Sequence, residues 1–100
     1  MLDDPQLEEL RKEIDAVDHE ILALLAKRAE IVLRVGDLKR EKSLPVFDPS
    51  REAALFKRLS GDADAPLDPL SVEEIFKGIV THCRRLEEEH MHTGQPADRG

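Results

Sequence analysis

An uninterrupted helical pattern in the N-terminal part of the chain limits the folds open to it. From Pro5 to Glu41 the only weak helix former is Gly36, which costs about 1 kcal/mol relative to Ala. Apolar residues recur at alternating intervals of three and four positions, as one helix face requires. They are Leu7, Leu10, Ile14, Val17, Ile21, Leu24, Ile31, Val35 and Leu38. We predict one helix over residues 5–41, with a bend or break near Gly36 as the alternative.

Two shorter helices are predicted in the rest of the chain. Asp48 followed by Pro49 is a typical helix start, and Gly61 is a plausible stop. A third helix begins near Pro69, where the segment Ser71–Glu74 fits a capping box. The chain holds three Phe and no Trp or Tyr, which disfavours strands, because these are rich in aromatic residues. The predicted fold is all-α, with three helices per chain.

The length of the first helix predicts a dimer. A helix over residues 5–41 spans about 55 Å, whereas a compact monomer of this size has a radius of gyration near 13 Å. Two later helices of about 12 and 20 residues cannot cover so long an apolar stripe. A second copy related by two-fold symmetry covers the remainder most easily. We predict a homodimer, with residues 1–92 as one helical domain and residues 93–100 as a polar, disordered tail.

Composition excludes several classes of function. The 15 Lys and Arg residues against 22 Asp and Glu give a net charge of −7, which disfavours nucleic acid as a partner. A single cysteine, Cys83, excludes an intrachain disulfide framework, and His82, His90 and His92 lack further ligands at metal-binding spacing. There is no glycine-rich phosphate loop, no apolar run long enough for a membrane span and no signal peptide. We therefore expect a cytoplasmic protein with no metal, cofactor or membrane partner.

Three cations on the first helix are candidates for binding an anion. Arg28 interrupts the apolar series, where an unpaired charge is costly. Lys39 lies eleven residues further on, close to three turns, so the two side chains project from nearly the same face about 16 Å apart. Arg11 lies about 25 Å from Arg28 along the axis and could join them only from an antiparallel partner chain. The alternative is that these are solvated surface charges.

Two further clusters are less specific. Asp48, Arg51 and Glu52 open the second helix, where free backbone N–H groups point forward. Taken alone, this cluster is better explained by a cap with solvated charges. Cys83 and Glu87 continue the apolar face of the third helix. An inward Glu87 would need a proton or a cationic partner. The alternative is that Glu87 belongs to a solvated run of three glutamates, and that Cys83 is simply a small buried apolar residue.

Together these segments resemble the all-helical chorismate mutase family. The resemblance runs from about Leu7 to Glu89 and is densest over residues 10–15, 24–28, 35–39 and 45–52. It implies an intertwined homodimer of three-helix subunits. It also implies an isomerase that rearranges chorismate to prephenate, on the shikimate-pathway branch toward phenylalanine and tyrosine.

The resemblance assigns the first-helix cations to the substrate. Arg28, together with Arg11 donated by the partner subunit, would bind the two carboxylates. Lys39 would hold a carboxylate and the ether oxygen. Arg28 and Lys39 would therefore be catalytic as well as binding residues.

Residues of the other two helices complete the site that the resemblance implies. The backbone of Asp48 and the carboxylate of Glu52 would hold the ring hydroxyl, and Arg51 would support the side of the ring carboxylate. The bacterial pattern usually has Ser and Gln where this chain has Cys83 and Glu87. Glu87 would then face the ether oxygen as a catalytic residue, beside Cys83 as a binding residue.

The implied chemistry agrees with the residues present. A unimolecular rearrangement needs no nucleophile, metal or cofactor, only a dianion held in its reactive shape and positive charge near the breaking C–O bond. Three alternatives remain: an isochorismate-pyruvate lyase on the same scaffold, a non-catalytic helical regulatory module, and a plain coiled-coil scaffold. A larger shikimate-pathway enzyme is a possible partner.

Overall fold

Three helices make up the structure, a computed structural model that describes residues 4–93. Helix α1 spans Pro5–Glu41, α2 spans Pro49–Gly61 and α3 spans Pro69–Thr93. The all-α prediction is confirmed, and the alternative of a break near Gly36 is wrong, because α1 continues through that residue. Of the tail predicted over residues 93–100, Thr93 is the last residue of α3, and residues 94–100 lie outside the described residues. None of the helices described is both long and apolar enough to cross a membrane.

Each helix begins with the same dipeptide, Asp-Pro. The carboxylates of Asp4, Asp48 and Asp68 accept hydrogen bonds from backbone N–H groups of the first turns, at 2.8, 3.1 and 2.7 Å respectively. The predicted capping box at Ser71 is therefore wrong. Asp68 takes the cap position three residues earlier, because Pro69 already has the φ angle of a first helical residue. Hydrogen bonds from the backbone and hydroxyl of Ser71 lower the pKa of Asp68.

Helix α3 holds the subunit together, since it packs against both α1 and α2. Four apolar residues among those described form a small buried core, namely Leu55 of α2 with Val72, Val80 and Cys83 of α3. Near its C-terminal end α3 is tied to α1 by polar contacts. His90 Nε2 lies 2.7 Å from Asp37 Oδ1, and the guanidinium of Arg40 donates to the carbonyl of Met91 at 3.5 Å.

The long first helix leaves much of its apolar face uncovered. The subunit measures 56 × 34 × 19 Å, with a radius of gyration of 17.5 Å, well above the value of about 13 Å for a compact domain of this length. Large apolar side chains along α1 are exposed in the single chain, namely Leu10, Ile14, Val17, Ile21, Leu22, Leu24, Ile31, Val35 and Leu38. This is the stripe from which the sequence predicts a second copy.

A Schellman turn ends α1 and directs the chain back toward it. The N–H of Leu44 donates to the carbonyl of Lys39 at 2.7 Å, and the N–H of Ser43 donates to that of Arg40 at 3.2 Å. Ser43 has a φ of 55°, the left-handed conformation that this turn requires. The reversal brings the carbonyl of Val46 within 2.8 Å of Lys39 Nζ.

Helices α1 and α3 approach each other closely at Gly36. It is the only buried residue among those described in α1, and a Cβ atom at this position would lie 3.0 Å from Cγ of Glu87 and 3.3 Å from Cγ of Met91. A larger residue would push the third helix outward. The glycine therefore sets the separation at which side chains of α1 reach those of α3.

We expect Gly36→Ala to be less stable than a matched control, Gly78→Ala, by about 1–3 kcal/mol in the free energy of unfolding. Both substitutions gain about 1 kcal/mol of helix propensity. At Gly78 an added Cβ meets nothing within 4 Å, whereas at Gly36 it crowds Glu87 and Met91. Denaturant unfolding at one protein concentration measures the difference. Equal stability of the two variants would contradict the close approach.

Candidate active site

One cavity lies where the three helices converge, and it contains every site residue predicted from the sequence except Arg11. Its volume is about 300 Å³. Helix α1 contributes Arg28 and Lys39, which line the same wall three turns apart. The remaining predicted residues come from the start of α2 and from α3, namely Asp48, Arg51, Glu52, Cys83 and Glu87. Apolar residues between them, Val32 and Leu55 among others, complete the lining.

Lys39 and Glu87 form an ion pair across the α1–α3 contact. Lys39 Nζ lies 2.9 Å from Glu87 Oε2 and also donates a hydrogen bond to the carbonyl of Val46 at 2.8 Å. Glu87 is 5% exposed, so the alternative that it belongs to a solvated glutamate run is wrong. Its Oε2 has the ion pair but no well-aligned hydrogen bond among the described residues. The predicted need for a cationic partner is thus met by Lys39.

The start of α2 lines the cavity because of how that helix is capped. The Asp48 carboxylate accepts the N–H of Arg51 at 3.1 Å, and its carbonyl accepts the N–H of Glu52 at 3.1 Å. These bonds fix the first turn, from which Asp48, Arg51 and Glu52 all reach the cavity. In the single chain Asp48 and Arg51 are exposed, as the alternative of a cap with solvated charges predicts, whereas Glu52 is half-buried and pairs with Arg84.

Arg84 also lines the cavity and was not predicted from the sequence. Its Nη1 lies 3.3 Å from Oε2 of Glu52, and its guanidinium carbon lies 4.5 Å from the centre of the Phe47 ring. The periodicity of α3 contains a signal for it. Val80, Cys83 and Glu87 were assigned to the inward face, and Arg84 lies between them at four residues from the first and three from the last.

Arg11 does not reach the cavity of its own chain. It lies on the exposed N-terminal half of α1, where its Nη1 pairs with Oε1 of Glu8 at 3.1 Å. This agrees with the sequence argument that Arg11 is too far from Arg28 to share a site within one chain.

The lining charges favour a small organic anion. Arg28, Lys39, Arg51 and Arg84 face the carboxyl groups of Asp48, Glu52 and Glu87, and two of those carboxylates are engaged by cations at 2.9 and 3.3 Å. Within residues 4–93 no group of three His, Cys, Asp or Glu side chains is placed to hold a metal ion. Cys83 is buried and free.

Comparison with known proteins gives the family. The family pattern for chorismate mutase type II matches residues 10–88, most of the chain. This chain belongs to the type II chorismate mutase family. The structure of a chorismate mutase from Helicobacter pylori in complex with prephenate superposes with a TM-score of 0.82 at 34% identity, covering 89% of this chain and 97% of that one.

Curated relatives of this family differ in length and name. A bifunctional chorismate mutase/prephenate dehydratase from Aquifex aeolicus is 38% identical over 88 residues, which is 84% of this chain and 24% of that protein. A 4-amino-4-deoxychorismate mutase from Streptomyces pristinaespiralis is 34% identical over 89 residues, covering 88% of this chain and 69% of that protein. The chain thus spans about a quarter of the length of the Aquifex relative.

Proposed function

We propose that this protein is an isomerase that rearranges chorismate to prephenate. The observation that carries the proposal is the cavity in which Arg28 and Lys39 of α1 meet the start of α2 and Glu87 of α3. A plain coiled-coil scaffold needs no such cavity, and a non-catalytic regulatory module needs no cations fixed within it. Family membership and the prephenate complex of the Helicobacter protein support the same substrate class.

The cations act by position and charge. Chorismate carries two carboxylates and an ether oxygen that gains negative charge as its C–O bond breaks. Arg28 binds a carboxylate, and Lys39, held by Glu87 and the Val46 carbonyl, faces the ether oxygen. Fixed donors of this kind stabilise the transition state without reorganising. The substrate's own bonds rearrange, so no covalent intermediate with the protein is formed.

Two copies of the chain form the working enzyme in this proposal. The exposed apolar stripe of α1 packs on the same stripe of a second copy, in an intertwined homodimer with two equivalent sites. Arg11 then leaves Glu8 and reaches the second carboxylate in the partner's cavity. We also propose a cytoplasmic location and an association with a larger shikimate-pathway enzyme. The two-function name of the Aquifex relative supports the association.

The direct test follows chorismate loss and prephenate formation by ultraviolet absorbance, using purified protein and Arg28→Ala as the control. We expect turnover by the wild type and more than tenfold less by the variant. An assay with isochorismate under the same conditions tests the lyase alternative. Absence of chorismate turnover, or faster release of pyruvate from isochorismate, would overturn the proposal.

We expect Glu87→Gln to keep or raise the activity near pH 8. The Glu87 carboxylate lies 2.9 Å from Lys39 Nζ, so in this proposal it is close to the ether oxygen and repels the charge that develops there. A glutamine amide at the same position donates a hydrogen bond instead. The measurement is kcat/KM for chorismate in the wild type and the variant, with substrate binding followed separately. A loss of more than about tenfold in the variant would contradict the role of Glu87.

A further inference from the structure

Arg84 has no role in the proposed reaction, yet it pairs with Glu52, the carboxylate that the family resemblance assigns to the ring hydroxyl. Arg84 Nη1 lies 3.3 Å from Glu52 Oε2, and the Phe47 ring lies against the guanidinium at 4.5 Å. The side chains of Arg84 and Glu52 are 28% and 21% exposed, so solvent screens the pair only in part. Two contacts from two directions hold the guanidinium in place. Glu52 therefore meets a substrate with its charge already compensated.

The Glu52 carboxylate can accept a hydrogen bond from only one group of chorismate. The two carboxylates and the ether oxygen of that molecule have no proton to donate, so a carboxylate of the protein would repel them. The ring hydroxyl is the single donor. A carboxylate compensated by an arginine still accepts this neutral hydrogen bond.

An ammonium group in place of the hydroxyl would interact electrostatically with both Glu52 and Arg84. An uncompensated Glu52 would attract it strongly, as opposite charges do at short range in a partly buried site. With Arg84 present, the attraction to Glu52 is offset by repulsion from the guanidinium, and the ammonium still has to be desolvated. The pair thus favours the neutral substituent over the charged one.

We propose that Arg84 is a specificity-determining residue, which compensates Glu52 and so makes the cavity select a ring hydroxyl over a ring ammonium. This inference rests on the proposed function, because it concerns which ring substituent the same site accepts. The matching pair of probes is chorismate and 4-amino-4-deoxychorismate, the compound in the name of the Streptomyces relative.

The experiment measures kcat/KM for both compounds at about pH 6.5, where a primary amine is protonated. Arg84→Gln keeps a donor for Glu52 and removes the charge, whereas Arg84→Lys keeps the charge. Arg85→Gln is the matched control, since Arg85 is the next residue of α3 but is exposed and pairs with Glu89 at 3.0 Å. The ratio of the two kcat/KM values does not depend on the fraction of folded protein.

We expect the wild type to prefer chorismate, and Arg84→Gln to raise the amino-to-hydroxyl ratio by about tenfold or more. Arg84→Lys and Arg85→Gln should leave the ratio within about twofold. If a variant binds but has no measurable turnover, its dissociation constants for the two compounds give the same ratio.

Three results would overturn the inference. They are a wild type that prefers the amino compound, an unchanged ratio in Arg84→Gln, and an equal change in Arg85→Gln. Failure of the proposed function is distinct, because the wild type and Arg85→Gln would then turn over neither compound. That outcome removes both proposals, whereas the first three leave the mutase activity itself standing.

Discussion

Replacing Lys39 with alanine should lower kcat/KM for chorismate by a factor of about 30 to 1,000. The substitution removes the cation that faces the ether oxygen, and a charge-assisted contact with an anion is worth on the order of 2–4 kcal/mol. Each 1.36 kcal/mol corresponds to a tenfold change in rate. It also leaves the buried Glu87 carboxylate, now 2.9 Å from Lys39 Nζ, without its counterion. Steady-state kinetics at a pH near neutral measures the loss.

Controls for Lys39→Ala separate the site from the fold. Lys42→Ala removes an exposed lysine at the C-cap of α1, which does not line the cavity, and should keep full activity. Adding Glu87→Gln to Lys39→Ala should restore stability, because it removes the unpaired charge, without restoring the rate in full. A Lys39→Ala variant within threefold of the wild type would remove Lys39 from the mechanism.

Two inactive chains should restore activity to each other if the site is shared between subunits. Arg11→Ala and Arg28→Ala each inactivate both sites of their own homodimer. In a heterodimer, one site contains both substitutions and the other contains neither. Random association of equal amounts gives half heterodimers, so about a quarter of the wild-type sites should return.

The complementation experiment is carried out by unfolding the two variants together and refolding them. Tagging one chain allows the heterodimer to be isolated and its activity measured directly. Arg28→Ala mixed with Lys39→Ala is the matched control, because those two residues line one cavity of one chain. That heterodimer has one defect in each site and should stay inactive. Absence of recovery in a confirmed Arg11/Arg28 heterodimer would contradict the shared site.

Much of the fold follows from sequence because helix signals are local. The apolar periodicity and the Asp-Pro starts define α1 and α2 as observed. The start of α3 near Pro69 was also predicted, but its cap was assigned to a capping box at Ser71, although Asp68 precedes the proline. Which of the two residues caps the helix depends on the path of the preceding loop. A local sequence pattern does not contain that information.

Some residues of the site can likewise be identified from local sequence, whereas others depend on how the helices pack. Arg28 stands out because it interrupts an apolar series, and Glu87 because it continues one. Arg84 could not be told from Arg85 by residue type, and only the rotation of α3 against α2 turns the first toward Glu52 and the second toward solvent. The pairing of Lys39 with Glu87 likewise depends on Gly36, which allows the two helices to approach closely.

The exposed apolar stripe of α1 makes folding of the chain dependent on protein concentration. Among residues 4–93 only four apolar side chains are buried within the single chain, so little stabilises the fold once the partner leaves. Dissociation of the proposed dimer and unfolding then become one process, whose midpoint moves with total protein concentration. Specific activity would fall as the enzyme is diluted, and would fall along with the helical circular dichroism signal. For such an enzyme, the number of copies in a cell sets how much of the chain is folded at all.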